Sequence, residues 1–387
     1  MATVYLDNNA TTQLLPEVFE AIRPFFSDRF GNASSSTMRG QRARGAIDEA
    51  RGQVARLVGA APGEIVFTSG GTEGDNLALR GVISPGDHVI TCAIEHHAIL
   101  HCCRRLQALG ATATILRVDG EGRVDPDDVR AALQRRTRLI SIMAANNETG
   151  TIQPVEEIGR IASEAGVLFH TDAVQAAGKI EIDVERVGCD LLTLSGHKLH
   201  APQGIGALYV RRGTLLQALL HGGPQEGGRR AGTENLAGIV GLGKAAELAS
   251  AWLGDGGGEE LRALRDRFEA EVVDRIEEAR VNGRGAPRVP NTSSIAFERI
   301  SGRALVAALD LRGITASTGS ACNAGSADPP YVLTAMGLAP ELAHASVRFS
   351  ASKLTTGADV AAAVDCLAEE VGRLRAMAPL RTGRSAV

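Results

Sequence analysis

Short apolar segments alternate with helix-forming segments over much of this chain. The segments at 64–68, 88–92, 113–117 and 139–144 do not show the polar residue at every second position that marks a strand with one face in water. Continuously apolar strands are typical of a sheet covered on both faces, and helices are the usual connection between parallel neighbours. The pattern predicts an α/β fold in which helices cover a mostly parallel sheet.

The length of the chain predicts more than one domain. It has 387 residues, which exceeds the ~250–300 residues at which a single hydrophobic core stops growing. The strand–helix alternation ends before a charged, amphipathic helical segment at 259–278, which we interpret as the crossing into a second region. We therefore predict a large domain at 13–256 and a smaller α+β domain made of residues 1–12 and 257–387.

Composition narrows the classes of function. The hydrophobic content of 44% is enough for a packed core, and the net charge of -4 favours neither nucleic acid nor a membrane surface as a partner. No apolar run approaches the ~20 residues of a membrane span, and the first residues lack the basic start of a secretion signal. The 6 cysteines include no CxxC pair, which argues against a disulfide framework or a four-cysteine zinc site. We expect a cytoplasmic enzyme.

Two consecutive apolar segments end in residues that can act on a ligand. The segment at 167–175 contains Asp172, and the segment at 190–194 is followed by Ser-Gly-His and then Lys198. In α/β folds ligands bind at the carboxyl ends of strands, where a partly desolvated lysine becomes a nucleophilic amine. Pyridoxal phosphate needs such a pair, an acid for its ring nitrogen and a lysine for a Schiff base. The alternative is a surface lysine that closes a strand.

Two glycine-containing loops are candidate anion sites. The turn at 69–73 joins a predicted strand to a helix, so its backbone N–H groups can hold an anion, although an ordinary strand–helix turn would look similar. It lacks the P-loop signature. The long loop at 222–235 carries Arg229 and Arg230, two adjacent arginines that suit a phosphate or a carboxylate.

A histidine-rich helix start allows two interpretations. His97 and His101 lie four residues apart with Cys102 and Cys103 beside them, so a metal site is conceivable. No second cluster with metal-ligand spacing accompanies them. His96, at the junction of strand and helix, is better placed to face a ligand.

Cys322 and Arg348 complete the candidates. Cys322 lies among small and polar residues with no apolar stripe to bury it, and exposed thiols are more often reactive. The other cysteines are interpreted as buried small hydrophobes. Arg348 lies within a short strand, where it is either a buried ion-pair partner or a clamp for a substrate carboxylate. The sequence leaves both roles open.

A set of motifs, in a fixed order, resembles those of the cysteine desulfurases. They are YLDNNATT at 5–12, TSGGTE at 68–73, NNETG at 146–150, HTDAVQ at 170–175, SGHK at 195–198, RRAGT at 229–233 and GSAC at 319–322. The NifS type, associated with nitrogen fixation, is the nearest pattern within the class V aminotransferase-like enzymes. The resemblance covers nearly the whole chain and implies the fold type I of pyridoxal-phosphate-dependent transferases.

The resemblance also implies the cofactor site. Lys198 would bind pyridoxal phosphate as a Schiff base, Asp172 would pair with the ring nitrogen, and His96 would stack on the ring. Gln175 would lie near the ring hydroxyl, and Asn147 would also contact the cofactor. The phosphate would be bound by Gly71, Thr72, Ser195 and His197, and by Thr233 from across a homodimer interface.

The same resemblance implies the reaction. Asn147 and Arg348 would hold the carboxylate of L-cysteine, and Lys198, His96 and Cys322 would be the catalytic residues. Lys198 would move the Cα proton, Cys322 would take the sulfur as a persulfide, and L-alanine would leave. The family passes this sulfur to an iron–sulfur scaffold protein. No structural metal is implied, although the Cys322 persulfide would contact an iron–sulfur cluster transiently.

Departures from the family pattern occur at Gly74, Ala33, Thr37 and the pair at 323–324, and none removes a catalytic group.

Two other interpretations of the chain's function stay open. One is a selenocysteine lyase or a class V aminotransferase, of which the aminotransferase would not need Cys322. The other is a non-catalytic sulfur carrier or assembly scaffold, which would bind no chromophore.

Overall fold

The structure, a computed structural model, describes residues 3–319 and 329–377. The strands are β1 (Val4–Tyr5), β2 (Ile65–Thr68), β3 (His88–Cys92), β4 (Thr112–Leu116), β5 (Thr137–Ser141), β6 (Leu168–Asp172), β7 (Leu191–Ser195), β8 (Gly206–Val210), β9 (Ala279–Val281), β10 (Thr292–Phe297), β11 (Ile314–Thr315) and β12 (Ser346–Ser350). The helices are α1 (Pro16–Ile22), α2 (Met38–Leu57), α3 (Gly71–Arg80), α4 (His97–Ala108), α5 (Pro126–Ala132), α6 (Val155–Ala165), α7 (Val184–Val187), α8 (Leu236–Gly254), α9 (Gly257–Arg275), α10 (Gly302–Leu311), α11 (Tyr331–Ala335), α12 (Pro340–His344) and α13 (Gly357–Met377).

The central sheet has the strand order β2-β8-β7-β6-β5-β3-β4. The pairs from β7 through β6, β5 and β3 to β4 are parallel, while β8 runs antiparallel to both β7 and β2. The mostly parallel α/β sheet predicted from the sequence is confirmed. The reversal at β8 is an addition, since a short connection after β7 returns the chain along its neighbour.

Helices cover both faces of this sheet. Adjacent residues of one strand enter different clusters of buried side chains: Val89 packs with residues of α3 and α4, whereas Ile90 packs with residues of α2, α6 and α8. Leu139 and Ile140 of β5 divide in the same way. Burial on both faces explains why these strands carry apolar residues at successive positions.

Helix α8 has no counterpart among the sequence predictions. Within the part of the chain that the structure describes, it is the helix long and apolar enough to span a membrane by length and composition. Half of it is buried inside the protein, where it packs against α1 and α2. At Gly243 a Cβ would lie 2.6 Å from the Cα of Ala50, so glycine allows α8 to approach α2 closely. These contacts are those of a core helix.

A second region has its own sheets and core. Strands β12, β10 and β9 form an antiparallel sheet, and β1 pairs in parallel with β11. A separate cluster of buried side chains joins these strands to α9, α10 and α13. The first strand of the chain thus packs with its last third, in the arrangement expected of an α+β unit. The domain boundaries at 12/13 and 256/257 stay predictions.

Candidate active site

The carboxyl ends of β6 and β7 bring Asp172 and Lys198 to one cavity. Asp172 is the last residue of β6 and pairs in register with Thr193 of β7, and a 3-10 helical turn after β7 ends at Lys198. The cavity has a volume of about 260 Å³. Its lining residues are Asn9, Ala10, Gly71, Thr72, Asp75, His96, Met143, Asn147, Asp172, Val174, Gln175, Ser195, His197, Lys198 and Arg348.

Most of the residues predicted for the site therefore lie together. Thr233 is an exception, since it is an exposed residue of the loop before α8 and does not line the cavity. The resemblance assigned it to the site of a second copy, so one chain does not test that prediction. Cys322 lies outside the described residues.

The amine of Lys198 is held by backbone carbonyls. Its Nζ donates to the carbonyl oxygens of Asn9, at 2.5 Å, and Ala10, at 2.6 Å. Both acceptors come from the segment after β1, nearly two hundred residues earlier in the chain. The N-terminal segment therefore forms one wall of the site and fixes the position of the amine.

Asp172 is a buried carboxyl with one hydrogen bond from the backbone. Its Oδ1 accepts from the N–H of Val174 at 2.9 Å. Burial raises its pKa from 3.8 to about 6, and the bond from Val174 and the positive charge of Lys198 oppose that increase. A cationic N–H group placed in the cavity would hold this carboxyl ionised, which is the role required of the partner of a pyridine nitrogen.

The start of α3 forms a cradle for an anion. Helix α3 has 10 residues and begins at Gly71, next to Ser195. A Cβ on Gly71 would lie 2.9 Å from Cγ2 of Val174 and 3.6 Å from Cβ of Ser195, so a side chain there would fill the cradle. Backbone N–H groups of a helix start attract a phosphate. The hydroxyls of Ser195 and Thr72 and the ring of His197 line the same cavity.

The two arginines of the long loop bind protein groups instead of lining this cavity. Arg230 donates to both carboxylate oxygens of Glu73, at 2.8 and 3.3 Å. Arg229 donates to the backbone carbonyls of Glu226 and Gly63. Arg230 thus does bind a carboxylate, as the sequence suggested, but it is one from the first turn of α3. Neutralising that acid favours an anion at the same helix start.

His96 is neutral and fixed in orientation. It caps α4, and its Nδ1 accepts the backbone N–H of Ala98 at 3.2 Å. Burial and the positive charge of Lys198 lower its pKa. Because Nδ1 is the acceptor, the ring proton lies on Nε2 in the neutral form. The side chain lines the cavity as a flat ring with a defined tautomer.

Arg348 forms the buried ion pair that was one of the two roles left open by the sequence, and its role as a clamp for a substrate carboxylate stays a prediction. Its Nη2 pairs with Oδ1 of Asp7 at 2.7 Å, and its Nη1 donates to the backbone carbonyl of Asn147 at 3.0 Å. Among the described residues, its buried Nε and the buried Oδ1 of Asn147 have no hydrogen-bond partner. Both side chains line the cavity. Buried polar atoms are seldom left without partners, so these two indicate a polar ligand.

Sequence reasoning missed several residues that build the site. Asn9, Ala10 and Met143 line it, and Asp75 of α3 adds a second buried acid, whose Oδ1 lies 3.7 Å from Nε2 of His170. Burial and the neighbouring Asp172 raise the pKa of Asp75 well above its usual range. The position of Asp75, one helical turn after Gly71, was the available signal, because residues four apart lie on the same helix face.

The metal interpretation of the histidine-rich helix is not supported. Nδ1 of His97 lies 3.2 Å from Nε2 of His101, but Cys102 and Cys103 are buried in the core and burial raises the pKa of each thiol to about 12. Across residues 3–319 and 329–377, no group of three or more His, Cys, Asp or Glu side chains is placed to hold a metal ion.

The described residues on either side of 320–328 are anchored at the cavity. Before that segment, Ser317 exchanges two backbone hydrogen bonds with Arg348, at 2.6 and 3.1 Å. After it, the hydroxyl of Tyr331 donates to the carbonyl of Glu95 at 2.6 Å, next to His96. The chain therefore leaves and returns beside two residues that line the cavity.

Comparisons with known proteins find relatives that match nearly the whole chain. The profile of the family "Aminotransferase class-V" matches residues 4–362. A cysteine desulfurase of Trichormus azollae is 50% identical over 384 residues, which cover 98% of this chain and 96% of that protein. The cysteine desulfurase IscS of Dictyoglomus turgidum is 48% identical over 382 residues, covering 98% and 97%. The solved structure of a NifS-like protein matches with a TM-score of 0.89 at 35% identity and covers 96% of this chain and 100% of its own.

Proposed function

This chain belongs to the class V aminotransferase family and is a cysteine desulfurase, and from that premise we propose how its residues act. We propose that pyridoxal phosphate is bound at Lys198, that L-cysteine is the substrate, and that its sulfur passes to Cys322. The observation that carries the proposal is the meeting of Asp172, Lys198 and the start of α3 in one cavity.

The residues present fit pyridoxal phosphate. The buried acid Asp172 suits a pyridine nitrogen, the amine of Lys198 suits an aldehyde, and the cradle at Gly71 suits a phosphate. His96 and Gln175 line the space between them. When bound, the cofactor supplies an electron sink for negative charge at the Cα of an amino acid.

Lys198 and His96 would handle protons in this site. Once the Lys198 amine is free, it can take the proton from the Cα of the substrate and return it, because it is already held at the cavity wall. His96 carries its proton on Nε2 and can offer it as a hydrogen bond without adding charge. Asp172 would accept a hydrogen bond from a protonated ring nitrogen and balance its positive charge.

Arg348 and Asn147 would position the substrate. The free Nε of Arg348 is a donor for a carboxylate, and the charge of its guanidinium strengthens that bond. The carboxamide of Asn147 lies beside it, with its own backbone carbonyl bound to Arg348. The pair would hold the α-carboxylate of the substrate.

Cys322 would accept the sulfur. Its thiolate attacks the sulfur of L-cysteine, the bond between that sulfur and Cβ breaks, and the electron pair stays with the carbon, which takes a proton and leaves in L-alanine. The anchoring of Ser317 beside Arg348 and of Tyr331 beside His96 supports this role, since Cys322 lies between them in the chain.

We propose further that the persulfide is delivered to an iron–sulfur scaffold protein, as the name IscS of one relative suggests. A cytoplasmic homodimer, with Thr233 of one copy reaching the phosphate site of the other, and service to nitrogen fixation are also parts of this proposal. Sedimentation of the purified protein with and without cofactor tests the dimer.

The central experiment is incubation with pyridoxal phosphate and L-cysteine, followed by assays of L-alanine and of added sulfur on the peptide that contains Cys322. Cys322→Ala should keep the visible absorbance of bound cofactor but form no persulfide. Lys198→Ala should lose both the absorbance and turnover. Cys366→Ala, in the core of the second region, is the matched control and should behave as the parent. Full sulfide release by Cys322→Ala would contradict the sulfur step and favour another class V reaction.

A further inference from the structure

A second buried lysine lies beside the proposed cofactor site. Lys179 is 7% exposed, and its Nζ donates to Oε1 of Gln175 at 2.6 Å and to Oδ1 of Asn9 at 3.3 Å. No ion pair among the described residues includes Lys179. Burying an amine without an acid is costly unless its hydrogen bonds are good. A methionine would fill the same space without that cost.

The backbone brings Lys179 to this position by a close contact. Gly178, just before it, has a φ of 70°. A Cβ on Gly178 would lie 2.3 Å from Cδ2 of Leu199, the residue after Lys198. Only glycine accepts both the dihedral angle and the contact. The turn that carries Lys179 is therefore pressed directly against the turn that carries Lys198.

Asn9 links the two lysines. Its side-chain Oδ1 accepts from Lys179 and, at 3.0 Å, from Nδ2 of Asn291, while its backbone carbonyl accepts from Lys198. The same carbonyl accepts Nε2 of Gln175 at 3.1 Å. The Lys179 amine donates to Oε1 of Gln175, so the NH₂ of that amide faces the Asn9 carbonyl and the Lys198 amine. These hydrogen bonds form one chain that runs from Lys179 through Gln175 and Asn9 to Lys198.

We propose that Lys179 is a positioning residue for the amine of Lys198, acting by holding Gln175 and Asn9 in place around it. The inference rests on the proposed cofactor site and adds to it a residue that makes no contact with the cavity itself. Its donors fix the orientation of Gln175, which lines the cavity. Its hydrogen bonds also keep the amide of Gln175 on the carbonyl of Asn9, which accepts from the Lys198 amine.

Other charged and titratable groups surround Lys179 and Lys198, and they also contribute to any pH dependence measured at this site. The positive charges of Lys198 and Arg348 act with burial to lower the pKa of Lys179. Charged or titratable side chains also come from β6, from the turn after β7, from the start of α4, from the segment after β1 and from the strand and turn at the end of the second sheet. They are Asp172, His197, His200, His96, Asp7, Arg348 and Lys353.

The test is a pH titration of the visible absorbance of the cofactor-loaded protein, compared between the parent and Lys179→Met. Without this donor the NH₂ of Gln175 is no longer held on the Asn9 carbonyl, which can then accept more strongly from the Lys198 nitrogen, so the protonated form of that nitrogen is favoured and the midpoint of the absorbance titration rises. We expect a rise of about one pH unit, on the order of one hydrogen bond to a charged group. Lys179→Gln keeps a hydrogen-bond donor at this position and disturbs the fold less than methionine does. It should therefore shift the midpoint in the same direction by a smaller amount.

A double-mutant comparison tests the route through Gln175. If Lys179 acts through that amide, then Gln175→Met should shift the midpoint upward, and the double variant should shift it little more than Lys179→Met alone. Additive shifts would overturn this route. Lys353→Met is the matched control, because Lys353 lines the same small cavity of about 30 Å³ behind Lys198. It removes a nearby amine that makes no hydrogen bond to Gln175 or Asn9, so it should shift the midpoint by much less than Lys179→Met.

The outcomes separate this inference from the proposed function. A parent protein that shows no visible absorbance with pyridoxal phosphate, or a Lys198→Ala variant that keeps it, contradicts the proposed function. A normal parent spectrum with an unmoved midpoint in both Lys179→Met and Lys179→Gln overturns only the role of Lys179.

Discussion

Replacing Asp172 by asparagine is expected to stabilise the cofactor-free protein at mildly alkaline pH while it damages the site. The carboxyl is buried, with Val174 as its backbone donor, and its pKa is raised from 3.8 to about 6. An amide oxygen of asparagine can accept the same N–H bond. The substitution therefore removes the cost of ionising a buried acid and leaves the local geometry in place.

The sign and size of this effect follow from linkage. Because the pKa of Asp172 is higher in the folded protein, folding binds a proton more tightly, and stability is lost as pH rises from about 4 through 6. The difference of about two pH units corresponds to roughly 3 kcal/mol at pH 8 and to less than about 1 kcal/mol at pH 4. For a chain of this length, roughly 3 kcal/mol corresponds to an increase in melting temperature of about 4 °C.

The assay is thermal unfolding of the cofactor-free parent and Asp172→Asn at pH 4 and pH 8. The variant should gain melting temperature at pH 8 and gain little at pH 4. Asp183→Asn is the control, since it makes the same chemical change at the N-cap of α7, where asparagine also caps. An equal gain at both pH values, or none at pH 8, would refute the reasoning. The variant should also bind pyridoxal phosphate more weakly in equilibrium dialysis.

Two other substitutions test the clamp and the cradle. Arg348→Lys keeps the charge but loses the planar guanidinium, which reaches both Asp7 and the cavity. We expect kcat/KM for L-cysteine to fall about 10- to 100-fold, on the order of one or two hydrogen bonds to a charged group. The spectrum of the bound cofactor should not change. An unaltered kcat/KM would remove Arg348 from the clamp. Gly71→Ala should weaken cofactor binding about tenfold, since its Cβ would press on Val174. Gly63→Ala, where a Cβ meets nothing within 4 Å, is the control, and equal affinities of both variants would contradict the cradle.

The sequence was most informative where one physical rule decides the geometry. Parallel strands end at the same edge of a sheet, so two strand-end residues, Asp172 and Lys198, could be placed together from their local patterns alone. Continuous apolar strands likewise predicted the two-sided sheet. Cys322 was singled out by its small and polar neighbours and given its specific role by the resemblance, whereas Thr233 depended on the resemblance alone, and the roles of both stay predictions.

What the sequence did not show depends on contacts between distant segments. Helix α8 is apolar on most of its surface, so it lacks the periodic pattern by which a half-buried helix is detected. Asn9 and Lys179 look like ordinary polar residues in the sequence, and only the folded chain joins them to Lys198. Whether β8 runs parallel or antiparallel to β7 depends on the path by which the chain returns to the sheet, and residue patterns do not encode that path.

The wall made by residues 7–10 has a consequence for biosynthesis. Asp7 pairs with Arg348, and Asn8 and Asn9 hydrogen-bond to Ser350. Residues 7–9 thus find these partners more than three hundred residues later in the chain. During synthesis this wall therefore stays without its partners until residues 348–350 have been made.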